Sequence, residues 1–146
     1  MSAASRDESK AIVAGLKKSA LLSGLKEREL KRLAGYAKVR DIAANTVVVK
    51  RGEKGIGFYV ILDGHVQVRK GTTTLARLGP GEFFGELALF DDRPRSADVV
   101  TLEPTTVVVL SRWEFWGFAS ERPEILRTIL QLMASRLEQT GRVPAP

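Results

Sequence analysis

The chain has 146 residues, 44% of them hydrophobic and 27% charged, with a formal net charge of +6 at pH 7. This length and composition fit one globular domain with its own core. The lack of cysteine excludes a disulfide framework, a zinc–thiolate site and a cysteine nucleophile. The single histidine excludes the common multi-histidine metal sites, so we expect no metal.

The positive charge is spread along the chain, which favours a solvated basic surface over a nucleic-acid or membrane patch. No apolar run approaches membrane-spanning length, and "MSAASRDESK" lacks the apolar centre of a secretory signal. We therefore expect a cytoplasmic protein without membrane insertion.

The N-terminal third is predicted to be helical in two places. Residues 1–9 are polar and expected to be frayed, and a weaker helix around 11–18 is interrupted by Gly15. Leucines at near-helical spacing predict a second helix from about Lys26 to Tyr36.

The middle of the chain predicts short antiparallel strands. In "FYVILDGHVQVRK" two strand-like runs flank Asp63-Gly64, which predicts a tight hairpin. Further β-branched runs in "TTTLARLGPGEFF" and "SADVVTLEPTTVVVLSRW" are separated by glycine and proline turns. The pattern predicts an α+β fold, mainly β: an eight-stranded antiparallel β-roll or jelly roll with helices at both ends.

Two helices are predicted at the C-terminus. "WEFWGFASE" indicates a short helix in which Trp113 and Trp116 are interpreted as packing anchors. A longer helix begins near Pro123, carries a wide apolar face and ends before Gly141. That face could pack on the β-roll, cover a ligand or form a homodimer.

The stretch "FGELALFDDRPRSA" carries the groups that could bind an anion. Gly85 lets backbone approach a ligand closely, and residues 86–90 could form one helical turn whose free amides attract negative charge. Arg95 can grip two phosphate oxygens, while Ser96 and Ala97 offer a hydroxyl and amides. On residue types alone, the favoured interpretation is a turn-capping Glu86 that pairs with Arg95 at the surface.

The same stretch resembles the phosphate-binding cassette of the cyclic nucleotide-binding domain family. That family includes regulatory subunits of cAMP-dependent kinase, bacterial catabolite activators and nucleotide-gated channels. Phe84 to Leu89 fit the shared core, as do Pro94, Arg95 and Ala97. The segments "GFYVILDGHVQV" and "LGPGEFFGE" are also similar, and the likeness extends over roughly 21–137.

The resemblance implies a role for each matching residue. Glu86 is expected to hydrogen-bond the ribose 2′-hydroxyl, and Arg95 to neutralise the cyclic phosphate. The remaining contacts are expected from Phe84, Gly85, Leu87, Ala88, Ser96 and Ala97, and from Val68 on the β-roll. Ser96 is compatible with either nucleotide, and we favour cAMP slightly over cGMP. Asp98 departs from the small or hydroxyl residue that many members carry, which puts some base-side or strand contacts in doubt.

These expectations describe a stand-alone, non-catalytic sensor with a cyclic nucleotide as ligand and no other cofactor. It would signal to a protein partner by repositioning its C-terminal helix, as a monomer or a homodimer. We assign residues 1–20 to a flexible N-terminus or helical extension, 21–140 to the nucleotide-binding domain and 141–146 to a tail.

Two alternatives stay open at this point. One is an interaction module of the same fold that works without nucleotide, and the other is a fragment of a larger regulator or channel. Direct DNA binding is not expected, because few residues follow Gln139, where a helix-turn-helix would stand in bacterial relatives.

Overall fold

The computed structural model describes residues 6–19, 22–55, 57–85 and 94–139. Its helices are α1 (Arg6–Lys18), α2 (Glu27–Ala34), α3 (Arg112–Ala119) and α4 (Pro123–Gln139). Its strands are β1 (Lys38–Ile42), β2 (Val47–Val49), β3 (Gly57–Asp63), β4 (Val66–Lys70), β5 (Thr73–Leu78), β6 (Phe83–Phe84), β7 (Asp98–Thr101) and β8 (Thr105–Ser111).

The strands form two antiparallel sheets of four strands each. One sheet has the order β1-β8-β3-β6 and the other the order β2-β7-β4-β5. Every strand pairing among the described residues is antiparallel. The predicted α+β class and the eight-stranded roll are therefore confirmed.

The apolar run of β8 is buried on both of its faces. Val108 and Leu110 belong to a cluster shared with the helices, while Val107 belongs to a second cluster between the sheets. Alternate side chains of a strand point to opposite faces, so an unbroken run of valines serves two cores at once. We call these the helix-side cluster and the roll-interior cluster.

The hairpin predicted at Asp63-Gly64 is wrong. β3 and β4 lie in different sheets, so this turn carries the chain from one sheet to the other. Gly64 has a φ of +92°, and a Cβ added there would lie 2.7 Å from the carbonyl oxygen of Pro104. The hairpin instead joins β4 to β5, where Lys70 pairs with Thr73.

The N-terminal helix begins earlier than the sequence suggested. α1 starts at Arg6, so the fraying expected over 1–9 is wrong for residues 6–9. Ile12 and Leu16 are fully buried in the helix-side cluster. Gly15 lies within α1 without interrupting it, and it lets the helix pack closely on β3: an added Cβ would overlap the Leu62 side chain.

The other helices agree with the predicted positions. α2 lies within the expected range, and the Lys26 amide donates to Glu29 Oε1 at 3.0 Å as half of a capping box. The Ser111 hydroxyl caps α3 by accepting the Glu114 amide at 3.2 Å. No described helix is long and apolar enough to span a membrane.

The tryptophans of α3 differ in their surroundings. Trp113 is 65% exposed, so its interpretation as a packing anchor is wrong. The Arg112 guanidinium lies over its ring at 5.0 Å from the centroid. Trp116 is less exposed and meets Phe115 edge-on. In α4, Ile125 is buried in the helix-side cluster, whereas Leu130 is largely exposed.

Replacing Gly64 with alanine should destabilise the fold more than replacing Gly71. Both residues have positive φ, but only Gly64 faces backbone at close range, while Gly71 has open space around it. We expect Gly71→Ala to cost about 1 kcal/mol and Gly64→Ala roughly 2 kcal/mol or more. Urea unfolding of both variants measures the difference, and equal midpoints would contradict the contact.

Candidate functional site

The end of the cassette is fixed to the loop before β3. The Arg95 amide donates to the Glu53 carbonyl at 2.8 Å, and the Arg95 carbonyl accepts from the Gly52 amide at 2.9 Å. Next to them, Lys54 and Pro94 form an isolated antiparallel bridge. This backbone pairing sets the point from which the Arg95 side chain projects.

The guanidinium of Arg95 is held by two backbone carbonyls. Its Nη2 donates to Gly57 O at 2.7 Å and its Nη1 to Gly85 O at 3.2 Å. The side chain is half-buried. Because a guanidinium stays protonated at physiological pH and its N–H fork is planar, these bonds orient a fixed positive charge.

Glycine makes this position of the guanidinium possible. A Cβ on Gly55 would overlap the guanidinium, and a Cβ on Gly85 would lie 2.8 Å from Nη1. Gly85 also has a φ of +79°, which disfavours other residues. Gly57 contributes its carbonyl and is buried. We call Gly55, Gly57 and Gly85 the glycine cradle.

The two phenylalanines of β6 position Gly85. Phe84 pairs in register with Tyr59, and their rings stack at 4.8 Å in the roll-interior cluster. Phe83 faces the helix-side cluster and meets Phe58 edge-on at 5.7 Å. A strand of only two residues is thus anchored on both faces, directly before the glycine that contacts Arg95.

The other residues predicted to contact the nucleotide are only partly described by the structure. Val68 lies on β4, pairs with Val99 and packs half-buried against the roll-interior cluster. Ser96 is exposed and Ala97 is half-buried, both directly after Arg95. Glu86, Leu87 and Ala88 lie outside the described residues, as do the helical turn expected at 86–90 and the pairing of Glu86 with Arg95.

Asp98 has a structural contact. Its Oδ1 accepts a hydrogen bond from the Arg51 amide at 2.7 Å. The carboxylate therefore ties the start of β7 to the loop before β3, the same loop that the Arg95 backbone contacts. At this position the chain departs from the family pattern, and the aspartate present here helps to hold β7 against the loop that positions Arg95.

Sequence reasoning missed the roles of Gly55 and Gly57. The segment "RGEKGIGF" has three glycines just before a strand, which was a signal for a close backbone approach. It did not show that the approaching group is Arg95. The guanidinium also borders a cavity of about 380 Å³, which sequence reasoning did not predict.

The single histidine lies in a different part of the fold. His65 Nδ1 is 3.1 Å from Glu103 Oε1, which links the β3–β4 turn to the β7–β8 turn. Within the described ranges, no three histidine, aspartate or glutamate side chains gather where they could hold a metal.

Comparisons with known proteins identify relatives of this fold. The family model for the cyclic nucleotide-binding domain matches residues 39–122. A CRP-like cAMP-activated global transcriptional regulator of Mycobacterium tuberculosis is 27% identical over 86% of this chain and 58% of its own length. A cAMP-dependent protein kinase regulatory subunit of Debaryomyces hansenii is 35% identical over 77% of this chain and 25% of its own. The chain thus spans less than two thirds of either relative.

A solved structure agrees with the observed architecture. The crystal structure of a cyclic nucleotide-binding domain from Methylobacillus flagellatus superposes with a TM-score of 0.77 at 25% identity. The match covers 95% of this chain and 86% of that one. The family model takes in the strands from β1 to β8, the glycine cradle and Arg95. The chain therefore belongs to the cyclic nucleotide-binding domain family.

Proposed function

We propose that this domain is a sensor that binds a cyclic nucleotide with its phosphate at Arg95, prefers cAMP to cGMP, and signals by repositioning its C-terminal helix toward a protein partner. The observation that carries this proposal is the half-buried guanidinium held in the glycine cradle, one residue before Ser96 and Ala97. A cation fixed in advance loses little freedom when an anion arrives.

The cyclic phosphate carries one negative charge that matches this cation. A planar guanidinium can donate to two phosphate oxygens at once, and the backbone carbonyls that accept from Nη1 and Nη2 fix its orientation. In a partly desolvated setting, a charge-assisted bond from Arg95 to phosphate is worth more than a neutral one. We assign the ribose 2′-hydroxyl to Glu86 and further contacts to Phe84, Gly85, Leu87, Ala88, Ser96 and Ala97, with Val68 beside the base.

The names of two relatives support cAMP over cGMP. The bacterial and fungal relatives are, by their names, cAMP-activated and cAMP-dependent proteins. Ser96 is compatible with either nucleotide and is not the threonine that would lean toward cGMP. The preference belongs to the base side of the site, so it is tested separately from phosphate binding.

In this proposal, a change caused by nucleotide binding reaches the helices through β6. Phe84 lies in the roll-interior cluster and Phe83 in the helix-side cluster, which also contains Phe115, Phe118 and Ile125 of α3 and α4. A shift at Gly85 on nucleotide binding would move Phe83 against these helices. Ile125 anchors the start of α4, whereas Leu130 is largely exposed and could meet a partner or a second copy.

The role proposed for the domain is binding, and no catalytic step is assigned to it. Its family is regulatory, consistent with a ligand that is sensed rather than converted. We keep 21–140 as the extent of the nucleotide-binding unit and the cytoplasm as its location. Both are proposals.

Saturating cAMP should raise the melting temperature of the protein by several degrees. A ligand at about a hundred times its Kd adds roughly 2.7 kcal/mol. Arg95→Ala should abolish the rise, while Arg95→Lys, which keeps the charge but not the fork, should retain part of it. Arg32→Ala, on the exposed side of α2, is the matched control.

The same melts with cGMP test the choice of base. A larger rise with cGMP would overturn the preference for cAMP. In protein shown to be free of carried-over nucleotide, no rise with either ligand would overturn nucleotide binding itself.

The cradle predicts a second, independent effect. Gly55→Ala should weaken cAMP binding about tenfold or more, because its Cβ overlaps the guanidinium and Arg95 must leave its place. Gly117→Ala is the control, since a Cβ there meets nothing within 4 Å. Isothermal titration of both variants gives the affinities, and circular dichroism verifies the fold. Unchanged affinity in a folded Gly55→Ala protein would show that the cradle does not position Arg95.

A further inference from the structure

We propose that the cavity beside Arg95 is a second ligand site, which binds an organic phosphate ester. The cavity has a volume of about 380 Å³ and lies where β1, β3 and β8, the end of β2, the loop before β3 and the start of α3 meet. This volume falls within the range of small-molecule sites in proteins. The site goes beyond the proposed function, because a cyclic nucleotide at the cassette does not require it.

The charge of the cavity favours an anion. Four basic side chains line it, those of Lys38, Lys50, Lys54 and Arg95, against the carboxylates of Glu53 and Glu114. Among the described residues, no ion pair joins the three lysines to a carboxylate. Concave surfaces of one sign focus the field and concentrate counter-ions.

One of the two carboxylates is already engaged within the protein. Glu114 Oε1 accepts a hydrogen bond from Ser111 Oγ at 2.8 Å, and the Glu114 amide donates to the same hydroxyl. This pair forms the cap of α3 and holds the carboxylate in place. The carboxylate keeps its negative charge, so the four basic groups of the described lining exceed its two acidic groups by two.

An apolar surface completes the cavity. Val48, Val49, Tyr59 and Val109 line it together with the cations. A bare phosphate ion would use only the charged part, whereas an ester can place its organic group against the valines and the tyrosine ring. The combination of an excess of basic groups and an apolar wall in the described lining therefore indicates an ester.

The cavity shares Arg95 with the proposed nucleotide contacts. Of the described residues assigned to the nucleotide, only Arg95 also lines it. The cavity adjoins those contacts, because Tyr59 lines it and stacks on Phe84 in the roll-interior cluster. Its three lysines have no assigned contact with the nucleotide, so they are the groups that distinguish the two sites in an experiment.

Phenyl phosphate and inorganic phosphate are suitable probes at constant ionic strength. We expect phenyl phosphate to bind severalfold more tightly than inorganic phosphate, as measured by isothermal titration. The double variant Lys50→Ala/Lys54→Ala should weaken phenyl phosphate binding about tenfold and leave cAMP affinity unchanged. Lys31→Ala, an exposed lysine of α2, is the matched control and should change neither.

Titration of the protein saturated with cAMP separates the two sites. Retained phenyl phosphate binding supports a distinct site, whereas its displacement by cAMP would mean that the probe sits at the cassette, and the inference would fail while nucleotide binding stands. Equal affinity for the two probes would overturn the assignment to an ester. The absence of binding, or binding that the lysine variants do not change, would overturn the site. The titration of nucleotide-free protein tests the cavity even if cAMP does not bind.

Discussion

The contact between the Arg95 guanidinium and the backbone of Gly57 and Gly85 is the constraint around which the candidate site is built. A half-buried cation needs acceptors, and here main-chain carbonyls supply them at 2.7 and 3.2 Å. Main chain can come this close only where no Cβ intervenes, so glycine is required at positions 55 and 85. The site therefore depends on backbone placement as much as on the arginine.

Three distant segments must meet for this contact to form. Gly57 opens β3, Gly85 follows β6 and Arg95 precedes β7. The first two are brought together by the pairing of β3 with β6, and the third by the backbone bonds of Arg95 to the loop before β3. Asp98 adds a further tie to that loop through the Arg51 amide. The sheets thus act as the frame that holds the cation in place.

The elements of this fold were largely predictable from the sequence, but their pairing was not. Apolar spacing located α2 to within two residues, and β-branched runs bounded by glycine and proline indicated the strands. Asp63-Gly64 correctly signalled a tight turn, yet local chemistry does not specify which strands pair across it. Gly15 was misjudged for a related reason: its cost in an isolated helix is real, but its value lies in contact with Leu62.

The site was predictable in the same uneven way. The cassette resemblance pointed to Arg95 and Gly85, which the structure brings into contact. The partner Gly57 is 38 positions from Arg95 in the chain, and no spacing rule connects them. Likewise, the cavity depends on Lys38, Val109 and Glu114, which only the meeting of β1, β8 and α3 brings together.

The pairing of β1 with β8 has a consequence for how the chain acquires its fold. Lys38 pairs with Val109, so the first sheet closes across nearly half of the sequence. Such non-local pairing slows folding, because the entropy of closing a long loop is lost before the contacts form. During synthesis, β1 must wait for β8 to leave the ribosome. Until then β1 lacks its strand partner, and the cavity lined by Lys38 and Val109 cannot be assembled.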